Sequence, residues 1–226
     1  MSCVKTKTII PIIILLVAIL LTGKAFANDM VYSSSVSDTN KIAITFDDGP
    51  HPRNTKRILD ILEKYQVKAT FFVIGINVKN YPETLSKVIE NGHEIGNHTY
   101  SHQILKNKEK DVICKEIIDT EKEISKRNTT TKILRPPCGL YDSNLIDFAK
   151  QNGYKIVLWN IDTNDWAHTS ESDMISHVMS SVKGGDIILF HDYISGENNT
   201  PDALDVIIPR LQAQGYEFVT VSELLQ

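Results

Sequence analysis

Two short segments of the sequence combine carboxylates and histidines at spacings that suit a metal site. Asp47 and Asp48 are adjacent in the segment TFDDG, and His98 and His102 are four residues apart in the segment HTYSH. Histidines at that spacing meet on one turn of a helix, where both can bind one metal ion. A carboxylate from TFDDG would complete the set. Two imidazoles and a carboxylate suit zinc, and also cobalt, nickel or manganese, and leave positions open for water and substrate.

Each segment also has a simpler explanation when it is taken alone. Asp-Gly is a frequent turn dipeptide, so TFDDG could be a polar turn. Histidine pairs four residues apart also occur without a metal. Adjacent residues of an extended chain point in opposite directions, so Asp47 and Asp48 are expected to have different roles.

Three further polar clusters follow predicted strands. Arg135 begins the segment RPPCG and could hold a carboxylate through two parallel hydrogen bonds, although a surface arginine beside a rigid loop is the simpler interpretation. Asp165 and Trp166 end the segment DTNDW, which suits a sugar or acyl pocket, while core packing explains the tryptophan equally well. His191 ends the apolar run ILFH and is a candidate proton donor near neutral pH.

The elements that must position these clusters alternate between strands and helices. Apolar runs such as 42–46 and 187–190 predict strands that are covered on both faces, and segments with helical periodicity such as 55–65 and 108–126 follow strands. About seven strand–helix units predict an α/β fold with a mostly parallel sheet, and the count favours a barrel over an open sheet. Barrels of this kind carry their chemistry at the carboxyl ends of the strands, where all five clusters lie.

The N-terminus has the layout of a secretory signal peptide over 1–27. Lys5 and Lys7 precede an apolar stretch over 9–21, and the small-residue pattern at Ala25 and Ala27 follows it. The stretch is shorter than the roughly 20 residues of a spanning helix, so cleavage after Ala27 is favoured and an uncleaved membrane anchor is the alternative. Either way, the rest of the chain is expected outside the cytoplasm. Residues 28–40 are serine-rich and predict a linker, and 41–226 a single domain.

The composition excludes several classes of protein. Hydrophobic residues make up 42% of the 226 residues and charged residues 23%, which is typical of a globular domain and not of a disordered or fibrous chain. The net charge of −4 gives no basic footprint for nucleic acid. Cys114 and Cys138 remain after the predicted cleavage, and we expect free thiols, with one disulfide as the alternative.

Taken together, the five segments TFDDG, HTYSH, RPPCG, DTNDW and ILFH resemble the motifs of the polysaccharide deacetylases, the NodB-homology domain of carbohydrate esterase family 4. The resemblance runs over about 41–225. It implies a distorted (β/α) barrel with fewer than eight units. It also implies an enzyme that hydrolyses the N-acetyl groups of sugars in a polysaccharide and releases acetate.

The resemblance further implies which residues bind the metal ion and which transfer protons. Asp48, His98 and His102 would hold one divalent metal ion, typically zinc. Asp47 would be the general base that activates water, and His191 the general acid that protonates the leaving amine.

The remaining site residues would position these groups or line the pocket. Arg135 would orient Asp47, and Asp165 would orient His191. Trp166 and Leu189 would shape the pocket for the acetyl methyl group. Cys138 stands where the family commonly has tyrosine, so either its backbone N–H binds the substrate and little changes, or the missing ring alters the sugar preference.

The sequence leaves the substrate open among several classes. Peptidoglycan is preferred, because an exported single-domain protein meets the cell wall first. The alternatives are chitin-like oligosaccharides, small amides, or a non-catalytic glycan-binding protein on the same scaffold. The intact Asp47, His191 and metal set count against the last of these. We expect a monomer that does not bind nucleic acid and contacts a membrane only through an uncleaved N-terminal segment.

Overall fold

Nine strands form one curled sheet in the part of the chain that the structure describes, residues 30–35 and 39–226 of a computed structural model. Every pairing between these strands is parallel. The order is β1-β6-β5-β4-β3-β2-β8-β7, and β9 pairs with the start of β2. The strands are β1 (Val31–Tyr32), β2 (Lys41–Asp47), β3 (Thr70–Val73), β4 (Glu94–Asn97), β5 (Ile133–Leu134), β6 (Lys155–Val157), β7 (Ile161–Asp162), β8 (Ile187–His191) and β9 (Glu217–Phe218).

Helices follow the strands in seven strand–helix units, β6 and β7 sharing one helix. The α-helices of the described residues are α1 (Asn54–Lys64), α2 (Gly75–Asn80), α3 (Pro82–Glu90), α4 (Lys110–Ser125), α5 (Ser143–Asn152), α6 (Glu171–Ser181), α7 (Thr200–Ala213) and α8 (Val221–Leu224). The outermost strands β1 and β7 do not pair with each other within this region, so the barrel is open on one side. The predicted distorted (β/α) barrel is confirmed. No described helix is long and apolar enough to cross a membrane.

The alternation of side chains along the central strands decides which of them point into the barrel. In β2, Ile42, Ile44 and Phe46 pack in the large cluster between the sheet and the helices. Ala43 packs in a second cluster on the opposite face, inside the barrel. Because successive side chains of a strand point to opposite faces, Asp47 lies on the interior face as well.

Side-chain caps and glycine fix the ends of several helices. The carboxylate of Asp142 accepts a hydrogen bond from the backbone N–H of Leu145 and so caps α5. Gly153 ends that helix in the left-handed conformation, with φ of 69°. Ser170 caps α6 in the same way as Asp142 caps α5. These caps place the loops that carry the site at defined points above the sheet.

The structure differs from the linker that the sequence predicts over 28–40. Val31–Tyr32 form β1 and pair with β6, and the backbone N–H of Ser35 donates to the carbonyl of Gly185 at 2.7 Å. The edge of β6 exposes unpaired backbone groups that a short extended segment can satisfy, whatever its side chains. A serine-rich composition therefore gave no signal for this strand. The predicted signal peptide, along with residues 28–29 and 36–38, lies outside the described residues.

Candidate active site

All five clusters meet at the carboxyl ends of the strands, around a pocket of about 410 Å³. Eight of the ten predicted site residues line this pocket, and Arg135 and Asp165 lie behind it, where they hydrogen-bond to residues that do. The lining residues are Asp47, Asp48, His98, His102, Cys138, Trp159, Asp162, Trp166, Leu189 and His191.

Arg135 is completely buried and fixes the orientation of Asp47. Its Nη1 donates to Oδ1 of Asp47 at 2.7 Å and to Oγ1 of Thr45 at 2.8 Å, and its Nη2 donates to the carbonyl of Leu158 at 2.9 Å. The interpretation as a surface arginine is therefore wrong. The predicted pair of parallel hydrogen bonds is also wrong, because a single carboxylate oxygen receives the arginine. The other oxygen of Asp47 is left to face the pocket.

Aromatic rings enclose the buried guanidinium of Arg135. Its central carbon lies 4.1 Å from the ring centre of Phe72 and 5.4 Å from that of Trp159. Burial lowers the pKa of Arg135, and the charge of Asp47 partly offsets this effect. A buried charge of this kind is tolerated only when it is paired and hydrogen-bonded. The arrangement therefore places the Arg135–Asp47 ion pair in the folded interior.

Asp48, His98 and His102 form a compact cluster beside Asp47, with ligand atoms all within 4.8 Å of one another. Oδ1 of Asp48 lies 3.5 Å from Nε2 of His98 and 3.3 Å from Nε2 of His102. The same Oδ1 is buried and makes no hydrogen bond within the described residues. An unsatisfied buried carboxylate oxygen is costly unless a cation or a donor compensates it.

The hydrogen bonding of His98 favours a cation at this point. Its Nδ1 lies 2.7 Å from the carbonyl of Arg135, which can only accept, so Nδ1 carries the proton and neutral His98 presents the lone pair of Nε2 to the cluster. That lone pair faces carboxylate oxygens of Asp47 and Asp48 at 3.6 and 3.5 Å. Burial lowers the pKa of His98, but the charges of the two carboxylates outweigh it and raise the pKa. The cluster requires positive charge at its centre, and these residues fit a divalent metal ion.

A loop, and not a helical turn, brings the two histidines together. Thr99 and His102 have φ values of 67° and 60°, which break any helix, and the backbone N–H of Thr99 is bound by the side chain of Asn97. The imidazole centres are 5.1 Å apart. The prediction that His98 and His102 converge is confirmed, while the helical geometry behind it is wrong.

Glu116 of α4 holds this loop from below. One carboxylate oxygen accepts from the backbone N–H groups of Tyr100 and Ser101, both at 2.9 Å, and the other accepts from the hydroxyl of Ser101 at 2.9 Å. The loop between the two histidines is therefore tied to a helix by three hydrogen bonds to one side chain. Sequence reasoning gave no signal for this residue, since it lies on an ordinary polar helix face.

His191 pairs with Asp165 on the other side of the pocket. Nδ1 of His191 lies 2.7 Å from Oδ1 of Asp165, whose Oδ2 accepts from the backbone N–H of His191 at 2.7 Å and from the hydroxyl of Thr200 at 2.6 Å. Burial lowers the pKa of His191, but the hydrogen bond and charge of Asp165, with the charges of Asp47 and Asp48, raise it to about 9. The protonated form of His191 is thus favoured, and its Nε2, which Asp165 does not bind, remains available to donate a proton in the pocket.

The predicted substrate-binding residues form the outer wall. Trp166 is 54% exposed, so the interpretation as a core residue is wrong. Leu189 is buried in β8 and adds an apolar surface deeper in the pocket. Cys138 is exposed and has the left-handed φ of 57°, which turns the chain sharply at the pocket wall. Cys114 and Cys138 are both free thiols, as expected.

Sequence reasoning missed two lining residues, Trp159 and Asp162. Trp159 follows β6 and Asp162 ends β7, so the rule that barrel chemistry lies at strand ends could have identified both. Trp159 packs against the end of the RPPCG turn, and a side chain on Gly139 would lie 3.2 Å from its ring.

Asp192 is a buried carboxyl directly behind the site. The hydroxyl of Thr55 donates to its Oδ2 at 2.5 Å, while its Oδ1 has no hydrogen-bond partner within the described residues. Burial, reinforced by the charges of Asp48 and Asp47, raises the pKa of Asp192 to about 7. The carboxyl fills the space beside Gly49, where an added Cβ would lie 2.1 Å from Oδ2. This contact explains why glycine follows the two aspartates.

The structure is an open parallel barrel that carries a cluster of one carboxylate and two imidazoles. A buried carboxylate and a histidine bound to a second carboxylate flank this cluster. Together these features place the protein in the class of the NodB-type deacetylases. The chain belongs to the polysaccharide deacetylase family, whose profile matches residues 35–157. The resemblance read from the five segments is confirmed, and the chain is a hydrolase of the polysaccharide N-deacetylase class.

Relatives with assigned names support this placement. A peptidoglycan-N-acetylglucosamine deacetylase from Bacillus cereus is 42% identical over 187 residues, covering 82% of this chain and 88% of the relative. The crystal structure of the Bc1960 peptidoglycan N-acetylglucosamine deacetylase matches with a TM-score of 0.85 at 36% identity, over 87% of this chain and 93% of that one. A family 4 acetyl xylan esterase from Clostridium thermocellum, solved in complex with a cobalt ion, matches with a TM-score of 0.77 at 41% identity, over 81% and 89%.

Proposed function

We propose that the protein is an exported, zinc-dependent deacetylase that removes N-acetyl groups from peptidoglycan and releases acetate. The observation that carries the proposal is the arrangement around one pocket of Asp47 held by Arg135, His191 held by Asp165, and the cluster of Asp48, His98 and His102 between them. Hydrolysis of an acetamide requires a base, an acid and an electrophile, and each of these has a candidate group at this pocket.

Asp47 is the proposed base. Its Oδ1 is occupied by Arg135, so Oδ2 is the atom that takes a proton from the attacking water. Arg135 holds the carboxylate in one orientation through this charge-assisted hydrogen bond, at 2.7 Å.

His191 is the proposed acid. The amine of an N-acetylated sugar leaves poorly unless its nitrogen is protonated, so a separate donor is needed. Asp165 binds Nδ1 of His191, so Nε2–H is the donor, and the raised pKa of about 9 keeps the ring protonated at neutral pH. Base and acid are thus each held by a neighbour of their own, Asp47 by Arg135 and His191 by Asp165.

Asp48, His98 and His102 are the proposed metal ligands. A bound divalent cation would polarise the acetamide carbonyl and lower the pKa of a water molecule. One carboxylate and two imidazoles suit zinc, and also cobalt, nickel or manganese. The cobalt ion of the acetyl xylan esterase supports a divalent cation in this family.

Peptidoglycan is the proposed substrate and the cell envelope the proposed location. Two relatives that match over most of both chains are named for peptidoglycan. The signal-peptide pattern over 1–27 is consistent with an enzyme that reaches the wall from outside the membrane. Sequencing the N-terminus of protein recovered from culture medium tests the export proposal, and a mature chain that begins at Asn28 is the expected result.

Acetate release by the purified protein tests the activity. Peptidoglycan, N-acetylglucosamine oligosaccharides and acetylated xylan should be compared, first after chelation and then after each candidate metal is restored. We expect chelation to abolish release, zinc to restore it, and peptidoglycan to be the preferred polymer. No release from any polymer by protein shown to hold one zinc ion would contradict the proposal, and preference for the xylan ester would reassign the substrate.

A further inference from the structure

A second, smaller pocket lies beside the catalytic one and contributes no residue to the chemistry described above. It has a volume of about 130 Å³, and we call it the aromatic pocket. Its lining residues are Pro50, His51, Asn77, Tyr81 and Tyr193. This volume is well below the roughly 300–1,000 Å³ of independent small-molecule sites, so the pocket is suited to act as an extension of its neighbour.

Three rings form the wall of the aromatic pocket. The imidazole of His51 stacks on Tyr193, with ring centres 5.1 Å apart and an interplanar angle of 30°. Tyr81 meets the same imidazole edge-on at 6.2 Å. Tyr81 and Tyr193 are nevertheless 37% and 41% exposed, among the most exposed large side chains of the described residues. Rings that are ordered against one another yet remain open to solvent provide a rigid amphipathic contact surface.

The backbone ties the aromatic pocket to the catalytic groups. Tyr193 is two residues after His191, and His51 is three residues after Asp48. The side-chain amide of Asn77 donates to the backbone carbonyl of Asp48 at 2.8 Å. A ligand group in the aromatic pocket would therefore be held at a fixed offset from the reacting centre.

His51 also offers a hydrogen-bond donor. Its Nδ1 accepts from the backbone N–H of Asn54 at 3.3 Å, so the neutral ring carries its proton on Nε2. Burial and the charge of Arg53 lower the pKa of His51, which favours that neutral form. With the tyrosine hydroxyls, the pocket combines flat apolar surface and polar groups at its edges.

We propose that the aromatic pocket is a second sugar-binding site, which takes the pyranose ring adjacent to the one that loses its acetyl group. The inference rests on the proposed function, since it assumes that the catalytic pocket holds one sugar of a chain. A pyranose presents a face of C–H groups and a rim of hydroxyls. The C–H face suits the flat rings of the aromatic pocket, and the sugar hydroxyls suit the Nε2–H donor of His51 and the tyrosine hydroxyls at its edges. The site would make the enzyme prefer chains over single sugars.

Chain-length dependence of activity tests the inference. Acetate release from N-acetylglucosamine and from its disaccharide should be measured for the wild type, Tyr193→Ala and Tyr193→Phe. In the wild type we expect a higher kcat/KM for the disaccharide, because only the disaccharide places a second ring in the aromatic pocket. Tyr193→Ala should reduce that advantage roughly tenfold, the loss expected for one aromatic contact, whereas Tyr193→Phe should retain most of it because the ring is kept.

A second variant separates the site from an effect on folding. Tyr81→Ala removes the other exposed ring and should reduce the same advantage. The double variant should lose less than the product of the two single effects, because both tyrosines contact His51. Thermal unfolding of each variant confirms that the compared proteins are folded.

Binding measured without turnover keeps this inference separate from the proposed function. Calorimetric titration with the tetrasaccharide should show weaker binding to Tyr193→Ala than to the wild type. This difference in affinity is expected even if the protein hydrolyses no polymer. Equal affinity of the two proteins, equal kcat/KM of the wild type for both chain lengths, or an equal loss of activity on both lengths would each overturn the inference.

Discussion

Asp47 and His191 are direct partners in the register of β2 and β8, and each is the last residue of its strand. Parallel pairing brings the two carboxyl ends to one edge of the sheet, and the alternation of side chains turns both residues toward the barrel interior. The backbone N–H of Asp192 also donates to the carbonyl of Asp47 at 3.2 Å. The proposed base and acid are therefore positioned by strand pairing, which makes their separation insensitive to the surrounding loops.

The roles of these two residues can be separated by the leaving group. We expect His191→Ala to lower kcat on an N-acetylated oligosaccharide by roughly two to four orders of magnitude, because the amine then leaves without a proton. Hydrolysis of para-nitrophenyl acetate should change far less, since its phenolate leaves unprotonated. The measurement is kcat for both substrates with the zinc-loaded variant. Equal losses on amide and ester would contradict the assignment of His191 as the acid.

Asp47→Asn is the matched variant for that comparison. The base acts on water whichever group leaves, so this variant should lose activity on amide and ester alike, by roughly two to four orders of magnitude. Its asparagine can still accept the hydrogen bond from Arg135, and its zinc affinity should remain measurable by calorimetry because Asp48, His98 and His102 are intact. Retained ester hydrolysis would contradict the role of Asp47.

The pH dependence should reveal the effect of Asp165 on His191. An acid must be protonated, so activity falls as pH rises through the pKa of His191, which is about 9 in the metal-free protein. A cation held by Asp48 opposes the carboxylate charges, so the alkaline limb of the zinc enzyme is expected below that value. Asp165→Asn removes a cause that raises the pKa while burial still lowers it, so the limb should move to lower pH.

The measurement for this prediction is kcat/KM against pH for the wild type, Asp165→Asn and Asp60→Asn. Asp60 is an exposed carboxylate paired with Lys56, so its replacement should leave the profile in place. An alkaline limb of Asp165→Asn that coincides with the wild-type limb would show that Asp165 does not set the pKa of the catalytic acid.

The parts of the site that the sequence could predict are those fixed by local pattern. Continuous apolar runs identify β2 and β8, and the rule that barrel chemistry follows strand ends then selects Asp47 and His191. Both signals depend on residues within a few positions of the side chain concerned. The seven strand–helix units of the barrel were predictable because each unit is signalled by its own stretch of sequence. The open side was not predictable, because closure depends on the relative positions of β1 and β7, which are far apart in the sequence.

The parts that escaped prediction depend on partners far along the chain. Arg135 is buried because its side chain reaches Asp47, which lies 88 residues earlier in the sequence. Nothing in the segment RPPCG distinguishes a buried arginine of this kind from an arginine in a surface loop. The loop of His98 and His102 is fixed by Glu116, which lies on a separate helix. The strand at Val31–Tyr32 forms because β6 offers a free edge. Tertiary contacts of this type override local propensity.

The contact between Gly49 and Asp192 should appear as a coupled loss of stability. A methyl group on Gly49 would overlap the carboxylate of Asp192, so we expect Gly49→Ala to cost about 1–3 kcal/mol, as for other overpacked sites. Asp192→Ala removes the overlapping atoms, so the double variant should be less destabilised than the sum of the two single variants. Urea unfolding of the four proteins measures the coupling, and strictly additive losses would show that the contact does not restrict residue 49.

Glu116 should determine how well the loop of His98 and His102 holds its metal. Three hydrogen bonds to this carboxylate fix the backbone between the two ligands, and outer groups of this kind typically change metal affinity ten- to a hundredfold. We therefore expect Glu116→Ala to raise the Kd for zinc by roughly that factor, measured by competition with a chelating dye. Glu116→Gln, which keeps one carbonyl oxygen, should fall between this variant and the wild type.

The control for this prediction is Asp119→Ala on the same helix. Asp119 forms surface ion pairs with Lys115 and Lys122, so its removal changes the charge of α4 without touching the loop. Saturating zinc should restore most of the activity of Glu116→Ala, because the three ligands are all present and only their arrangement before binding is lost. A zinc Kd equal to that of the wild type would mean that the loop holds its conformation through Asn97 and the left-handed residues alone.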